Sequence, residues 1–378
     1  MIISMIYMDN AATTPVHPKV LEAMMPYFNV RYANPSGNYE FARKIRKDVE
    51  NARSIIAGTL GARPEEIYFT SGGTEGDNWA VKAAAFDRGH GHIISTNVEH
   101  KAMLNTLEWI ESQGFEKDLA EADGSGIVAP DKIRRLIKND TFMVSVMAAN
   151  NEIGTIMPLK DIARSNNLRK RGIIFHTDAV QAYGHIYLNV NDLGVDMLSA
   201  SAHKFRGPKG AGFIYIRRDT IETSLIHGGS QEMGMRAGTE NVASIIGMAK
   251  AAQICMETIN ERRMKETQLR NYMIDRILRT FKGTVLNGTL DNRLPNNINI
   301  YFPGINGYSL VSALDRFGVC ASAGSACSSA SSKPSHVLKA IGLTDQQARN
   351  CVRFTLCEDT TAQDVDYLIE TLYKIIKV

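Results

Sequence analysis

The sequence predicts an α/β fold in which a large unit built on a mostly parallel sheet is followed by a smaller α+β unit. Three features of the pattern predict it. Short apolar runs at 66–70, 92–96, 142–147, 173–177, 197–200 and 212–216 alternate with helical stretches through the first two thirds of the chain. These runs are apolar nearly throughout, as strands buried on both faces are, and the stretches between them, such as 159–171, are long enough for crossover helices. From Ile245 the apolar residues fall at helical spacing (Ile245, Met248, Ala252, Cys255, Ile259, then Leu269, Met273 and Ile277), which gives one long helix bridging two units.

We place the domain boundary on that helix: residues 15–255 form the large domain, and 1–14 with 256–378 form the small one. The run at 297–302 reads as a strand of the small domain, the amino-terminal strand is expected to join it, and a helix closes the chain. The segment 321–332 contains only Ala, Ser and Gly apart from Cys327, with no side chain large enough to anchor it, and is expected to be mobile.

Chemistry-bearing residues follow the strands, where an open parallel sheet puts its ligands. After the run ending at Thr70, Ser71-Gly72-Gly73-Thr74-Glu75-Gly76 opens a helix, and its free amides with the positive end of the helix dipole suit an anion. It matches neither GxxxxGK[ST] nor GxGxxG, so a nucleotide is not specified. Val98-Glu99-His100-Lys101 places an imidazole past the run at 92–96, where it can stack on an aromatic ring and exchange protons at neutral pH. His176-Thr177-Asp178-Ala179-Val180-Gln181 ends another strand; a carboxylate there can keep a pyridine nitrogen protonated, as pyridoxal phosphate requires, and Gln181 can reach the ring oxygen. Taken alone, Asp178 also reads as a helix N-cap.

Past the run at 197–200, Ser201-Ala202-His203-Lys204 runs into Phe205-Arg206-Gly207-Pro208, which can fix and desolvate a Schiff-base lysine. A lone lysine of this kind is usually a solvated loop residue, but combined with Asp178 and the anion turn it points to pyridoxal-phosphate chemistry. Cys327, on its flexible tether, can approach a bound substrate, react and swing away.

Composition excludes other classes. The 378 residues are 44% hydrophobic with a net charge of +3 from 43 basic and 40 acidic side chains, enough for a large core and too balanced to hold a phosphate backbone. No stretch approaches the roughly 18 consecutive apolar residues of a membrane span, and no amino-terminal basic segment precedes an apolar one. The five cysteines have neither disulfide-framework nor zinc spacing, so no metal site is expected; we expect a cytoplasmic protein with free thiols, no nucleic-acid partner and no membrane.

In these motifs the chain resembles the cysteine desulfurases of the NifS and IscS kind, group I, within the class-V aminotransferase-like family of fold-type I pyridoxal-phosphate transferases. The likeness covers nearly the whole chain and is carried, in order, by Met8-Asp9-Asn10-Ala11-Ala12-Thr13-Thr14-Pro15, Ser71-Gly72-Gly73-Thr74-Glu75, Val98-Glu99-His100-Lys101-Ala102 and Asn150-Asn151-Glu152-Ile153-Gly154. It continues in Asp178-Ala179-Val180-Gln181, Ser201-Ala202-His203-Lys204, Met235-Arg236-Ala237-Gly238-Thr239 and Gly324-Ser325-Ala326-Cys327-Ser328-Ser329-Ala330.

The resemblance implies a seven-stranded sheet, a Schiff base at Lys204, Asp178 on the pyridine nitrogen, Gln181 on the ring oxygen and His100 stacked on the ring and handling protons. It implies cofactor contacts from Gly73, Thr74, Ser201, His203 and Asn151, and a Thr239 contributed by the other subunit of a homodimer. Arg353 and Asn151 match the positions that hold the substrate carboxylate. Cys327 matches the nucleophile that takes sulfur from L-cysteine as a persulfide, leaving L-alanine, for delivery to an acceptor such as an iron–sulfur scaffold or a thiolation relay; it leaves open whether Cys327 transiently ligates a nascent cluster.

Two stretches depart from the resemblance: Cys357-Glu358 stand where Gly-Arg is common, and Asn34-Pro35-Ser36-Gly37-Asn38-Tyr39 lacks a histidine. The alternatives are a selenocysteine lyase or other small-domain pyridoxal enzyme, and a non-catalytic sulfur-handling subunit. A dinucleotide-binding oxidoreductase would need the GxGxxG that is absent.

Overall fold

A two-residue strand, β1 (Ile6–Tyr7), opens the part of the chain described by this computed structural model, which comprises residues 5–323 and 334–376. The central sheet follows, formed by β2 (Ile67–Thr70), β3 (His92–Thr96), β4 (Glu116–Ala120), β5 (Thr141–Ser145), β6 (Ile174–Asp178), β7 (Met197–Ser201) and β8 (Gly212–Ile216). Their order is β2-β8-β7-β6-β5-β3-β4, seven strands as the resemblance implies. Four neighbouring pairs are parallel, and β8 alone runs against both of its neighbours. Strands β3, β5, β7 and β8 are buried along their whole length, which is why their sequences are continuously apolar or small.

Three elements differ from the sequence expectation. β4 has no apolar run, because it is an edge strand paired only with β3 and carries Glu116, Lys117 and Asp118 toward solvent. The run at 142–147 leaves the sheet after Ser145, although the Val146 and Ala148 amides still bond to the His176 and Asp178 carbonyls at 3.1 and 2.8 Å. The helix expected over 159–171 ends at Ser165 and resumes as a single turn, Arg169–Arg171, because Asn167 takes a left-handed φ of 50°.

The rest of the chain adds β9 (Val285–Leu286), β10 (Asn297–Tyr301), β11 (Val319–Cys320) and β12 (Cys351–Thr355). β12, β10 and β9 form an antiparallel sheet, while β1 pairs in parallel with β11, so the amino terminus does join this unit. The helix Val242–Thr280 runs for 39 residues. Its first part, through Cys255, packs into the core of the large sheet; Met273, Ile274 and Ile277 pack into a second core with Met8, Phe354 and Leu368. A window of this helix is long and apolar enough to cross a membrane, yet 56% of that window is buried within the protein, as in a core helix. Val337, Leu338 and Ile341 also join the large core, so the two cores interlock across the chain order.

Candidate active site

The ends of β2, β6 and β7, with the loops after β3 and β5, converge on a cavity of about 210 Å³. It is lined by ten residues singled out from sequence: Gly73, Thr74, His100, Asn151, Asp178, Gln181, Ser201, His203, Lys204 and Arg353. Tertiary structure adds Ala11, Ala12, Asp77, Met147 and Val180.

The anion-binding end comes first. The helix Gly73–Arg88 starts directly after the turn that follows β2, and no side chain caps its first amides. Glycine is required at position 73, where a Cβ would lie 2.4 Å from Cγ2 of Val180. Glu75 braces the turn, accepting from the Ser71 amide at 2.8 Å and from Nε of Arg236 at 2.8 Å. Thr74, Ser201 and His203 complete this end. Burial, with help from Lys204 and Lys209, pushes the His203 imidazole down to about 4, so it is neutral, and its Nδ1 lies 3.1 Å from Oγ1 of Thr13.

At the opposite end β6 delivers Asp178. Its Oδ1 accepts from the Val180 amide at 2.8 Å, which closes a turn; no helix starts there, so Asp178 is not the N-cap it could also be read as. Burial raises its pKa, and the nearby His100, the Val180 amide and Lys204 only partly offset that. Behind it Asp77, 1% exposed, is pushed well above the carboxylate range by burial and then by Asp178. His176 supplies no cation to this wall: burial drives it down to about 3, and its ring nitrogens face Oγ of Ser145 at 2.8 Å and Oγ of Ser199 at 3.0 Å. The charges that favour ionised Asp178 therefore come from the cavity side, where His100 and Lys204 stand.

Lys204 follows β7 in a single helical turn, Ala202–Lys204, and its Nζ donates to the carbonyls of Ala11 and Ala12 at 2.5 and 2.9 Å. Gln181 donates to the same Ala11 carbonyl at 3.0 Å. His100 caps the helix Lys101–Ser112, its Nδ1 accepting from the Ala102 amide at 3.1 Å, which places the ring proton on Nε2. Arg353 enters from β12, 1% exposed, donating through Nη1 to the Asn151 carbonyl at 2.9 Å and through Nη2 to Oδ1 of Asp9 at 2.7 Å. Its Nε is buried and has no hydrogen-bond partner among the described residues.

Comparison with known proteins decides the family. A family model described as Aminotransferase class-V matches residues 6–368. The chain is 47% identical over 375 residues to a cysteine desulfurase IscS of Dictyoglomus turgidum, covering 98% of this chain and 94% of that one. It is 46% identical over 376 residues to one of Clostridium botulinum, with the same two coverages. The chain belongs to the cysteine desulfurases of the class-V aminotransferase family. Among solved structures, a NifS-like protein superposes with a TM-score of 0.93 at 36% identity, covering 99% of this chain and 100% of the other. A structure titled SspA in complex with cysteine superposes at 0.83 and 36% identity, with coverages of 94% and 99%.

The cofactor of this desulfurase is pyridoxal phosphate. The cavity fits it: helix amides with no side-chain cap among the described residues at one end for a phosphate, a buried carboxyl with no ion pair among the described residues at the other for a ring nitrogen, and a lysine amine between. Thr239 is exposed and does not line this cavity, and Cys327 lies outside the described residues. The foot of its segment is ordered, since Ser322 pairs through its backbone with Arg353 in both directions, at 3.1 and 2.7 Å. Sequence reasoning did not single out Asp9, which lies inside a motif that it quoted, or Asp77, which lies one residue past the quoted 71–76 turn.

Proposed function

We propose that the chain takes sulfur from L-cysteine onto Cys327 as a persulfide and releases L-alanine. The observation that carries this is the meeting of Lys204, Asp178 and Arg353 in one cavity. Pyridoxal phosphate, when bound, supplies the electron sink that makes the Cα hydrogen of an amino acid acidic. The Arg353 guanidinium holds the substrate carboxylate and the Asn151 side chain assists. Asp178 would hold the ring nitrogen, Gln181 would reach the ring oxygen, and His100 would lie against the ring and relay protons through Nε2. The Lys204 amine, held by the Ala11 and Ala12 carbonyls, takes up the Cα proton. The Cys327 thiolate then attacks the substrate sulfur: an S–S bond forms, the C–S bond breaks with its electrons passing to the three-carbon fragment, and protonation at Cβ followed by return of the Lys204 proton to Cα yields alanine.

The same reading makes the protein a homodimer whose Thr239 completes the partner's phosphate site. An exposed apolar patch supports it: Phe28, Val30, Tyr32 and Tyr39 are 61, 65, 68 and 56% exposed. Val242, three residues past Thr239, packs against the same small cluster of Ala33, Ala42 and Ile45 as Tyr27 does. We place the protein in the cytoplasm, and Cys255, Cys320, Cys351 and Cys357, all unpaired, fit a reducing compartment. The acceptor is a sulfur carrier or an iron–sulfur scaffold.

Incubation with pyridoxal phosphate, L-cysteine and a reductant should give alanine and sulfide in equal amounts, and neither from Lys204→Ala or Cys327→Ser. Undiminished alanine formation by Cys327→Ser would refute the persulfide route.

A further inference from the structure

Arg206 stands two residues beyond Lys204 with φ of 66°, a left-handed conformation that an L side chain keeps only where its surroundings impose it. The imposing contacts come from several directions. Its amide donates to Oγ1 of Thr14 at 2.9 Å, and its carbonyl accepts from the His17 amide at 3.0 Å. Its guanidinium pairs through Nη1 with Oε1 of Glu358 and, at 2.8 Å, with Oδ2 of Asp359. Asp359 is 66% exposed and Glu358 only 24%, so Glu358 is the less screened of the two partners.

Glu358 is itself fixed. Its carbonyl accepts from Nζ of Lys265 at 2.5 Å, and its Oε2 lies 3.6 Å from Nε of Arg262. Arg262 donates to the Gly184 carbonyl at 2.6 Å, and the next residue, His185, contacts the Lys204 carbonyl through Nε2 at 3.1 Å. The contacts thus close a ring from the Lys204 turn through Arg206, Glu358, Arg262 and His185 back to Lys204. Glu358 also lies five residues past Arg353, just beyond the end of β12.

We propose that Glu358 is a positioning residue: through Arg206 it ties the turn that carries Lys204 to the strand that carries Arg353, and so sets the reach from the amine to the substrate. This gives a role to the Cys357-Glu358 stretch that departs from the family's common Gly-Arg, because an arginine at position 358 would face Arg206 and Arg262 with like charge. The inference rests on the proposed function only through the roles of Lys204 and Arg353.

A double-mutant cycle on the holoenzyme tests it. Glu358→Ala and Arg206→Met should each lower kcat for L-cysteine about tenfold while KM moves less than about twofold, since Arg353 keeps its own partners. Hydrogen exchange over residues 202–207 should quicken in both variants, and the double variant should be no worse than either single one. The exchange readout needs no substrate, so it stands even if L-cysteine turnover fails. Should Glu358→Ala not fold, Glu358→Gln keeps the side-chain length and enters the same cycle. Unchanged kcat and exchange in the Glu358 variant, or effects that multiply in the double variant, would overturn the proposal.

Discussion

Asp9 and Arg353, 344 positions apart in the chain, are joined by a hydrogen-bonded ion pair of 2.7 Å in the wall of the active-site cavity. With Nη1 committed to the Asn151 carbonyl at 2.9 Å, the guanidinium is held at two points where it lines the cavity. In the proposed role of Arg353, the pair aligns the guanidinium before any substrate arrives.

Replacing that planar fork by a point charge should therefore weaken binding more than chemistry. Arg353→Lys is expected to raise KM for L-cysteine by about tenfold or more with a smaller loss in kcat, because one ammonium cannot hold Asp9, the Asn151 carbonyl and a carboxylate together. Steady-state kinetics checks this; an unchanged KM would remove Arg353 from substrate binding.

Asp178 is buried, and burial raises its pKa against the opposing pull of His100, the Val180 amide and Lys204. Asp178→Asn keeps the shape and the Val180 contact but removes the charge. It should lower kcat about a hundredfold or more and loosen the cofactor, as cofactor retention in gel filtration would report. Full retention with wild-type turnover would contradict the assignment.

Glu266 has a pKa raised from 4.5 to about 7, mainly by burial and then by Glu358, against the pull of Arg262 and Lys265. A folded-state pKa above the unfolded value means that the native state binds the extra proton. The contribution of Glu266 to stability is thus greatest below pH 4.5 and falls as pH rises toward 7, with little further loss above. Glu266→Gln should flatten that part of the profile and, at pH 8, gain roughly 2–3 kcal/mol over the wild type. Denaturant unfolding at pH 5 and pH 8 measures it; a variant less stable at pH 8 would contradict the assignment.

The exposed Phe28, Val30 and Tyr32 offer a direct test of the dimer. Tyr32→Glu buries a charge if that face is covered by a second copy, so light scattering should show a monomer, and activity should fall with the loss of the partner's Thr239. A dimeric variant of full activity would place the interface elsewhere.

Much of the site was legible because each of its parts is local. A strand, a turn and a short polar motif occupy a few consecutive residues, and in a parallel sheet the strand ends lie on one edge, so Gly73, His100, Asp178 and Lys204 had to gather there. β4 was not legible, since an edge strand buries too little to need an apolar pattern, and Glu116-Lys117-Asp118 reads as loop. The break at Asn167 was hidden for a related reason: a single left-handed residue leaves no periodic trace.

The sequence by itself determined the fold class, the chemistry of the cavity and the family, because side-chain identity and strand-to-turn order encode all three. Only tertiary structure decided that Asp9 aligns Arg353, that Asp77 lies behind Asp178 and that Glu358 meets Arg206 beside Lys204. These contacts join residues on different elements, sometimes hundreds of positions apart. Their strength comes from removing charges from water together, which depends on how the two cores pack and leaves no pattern along the chain.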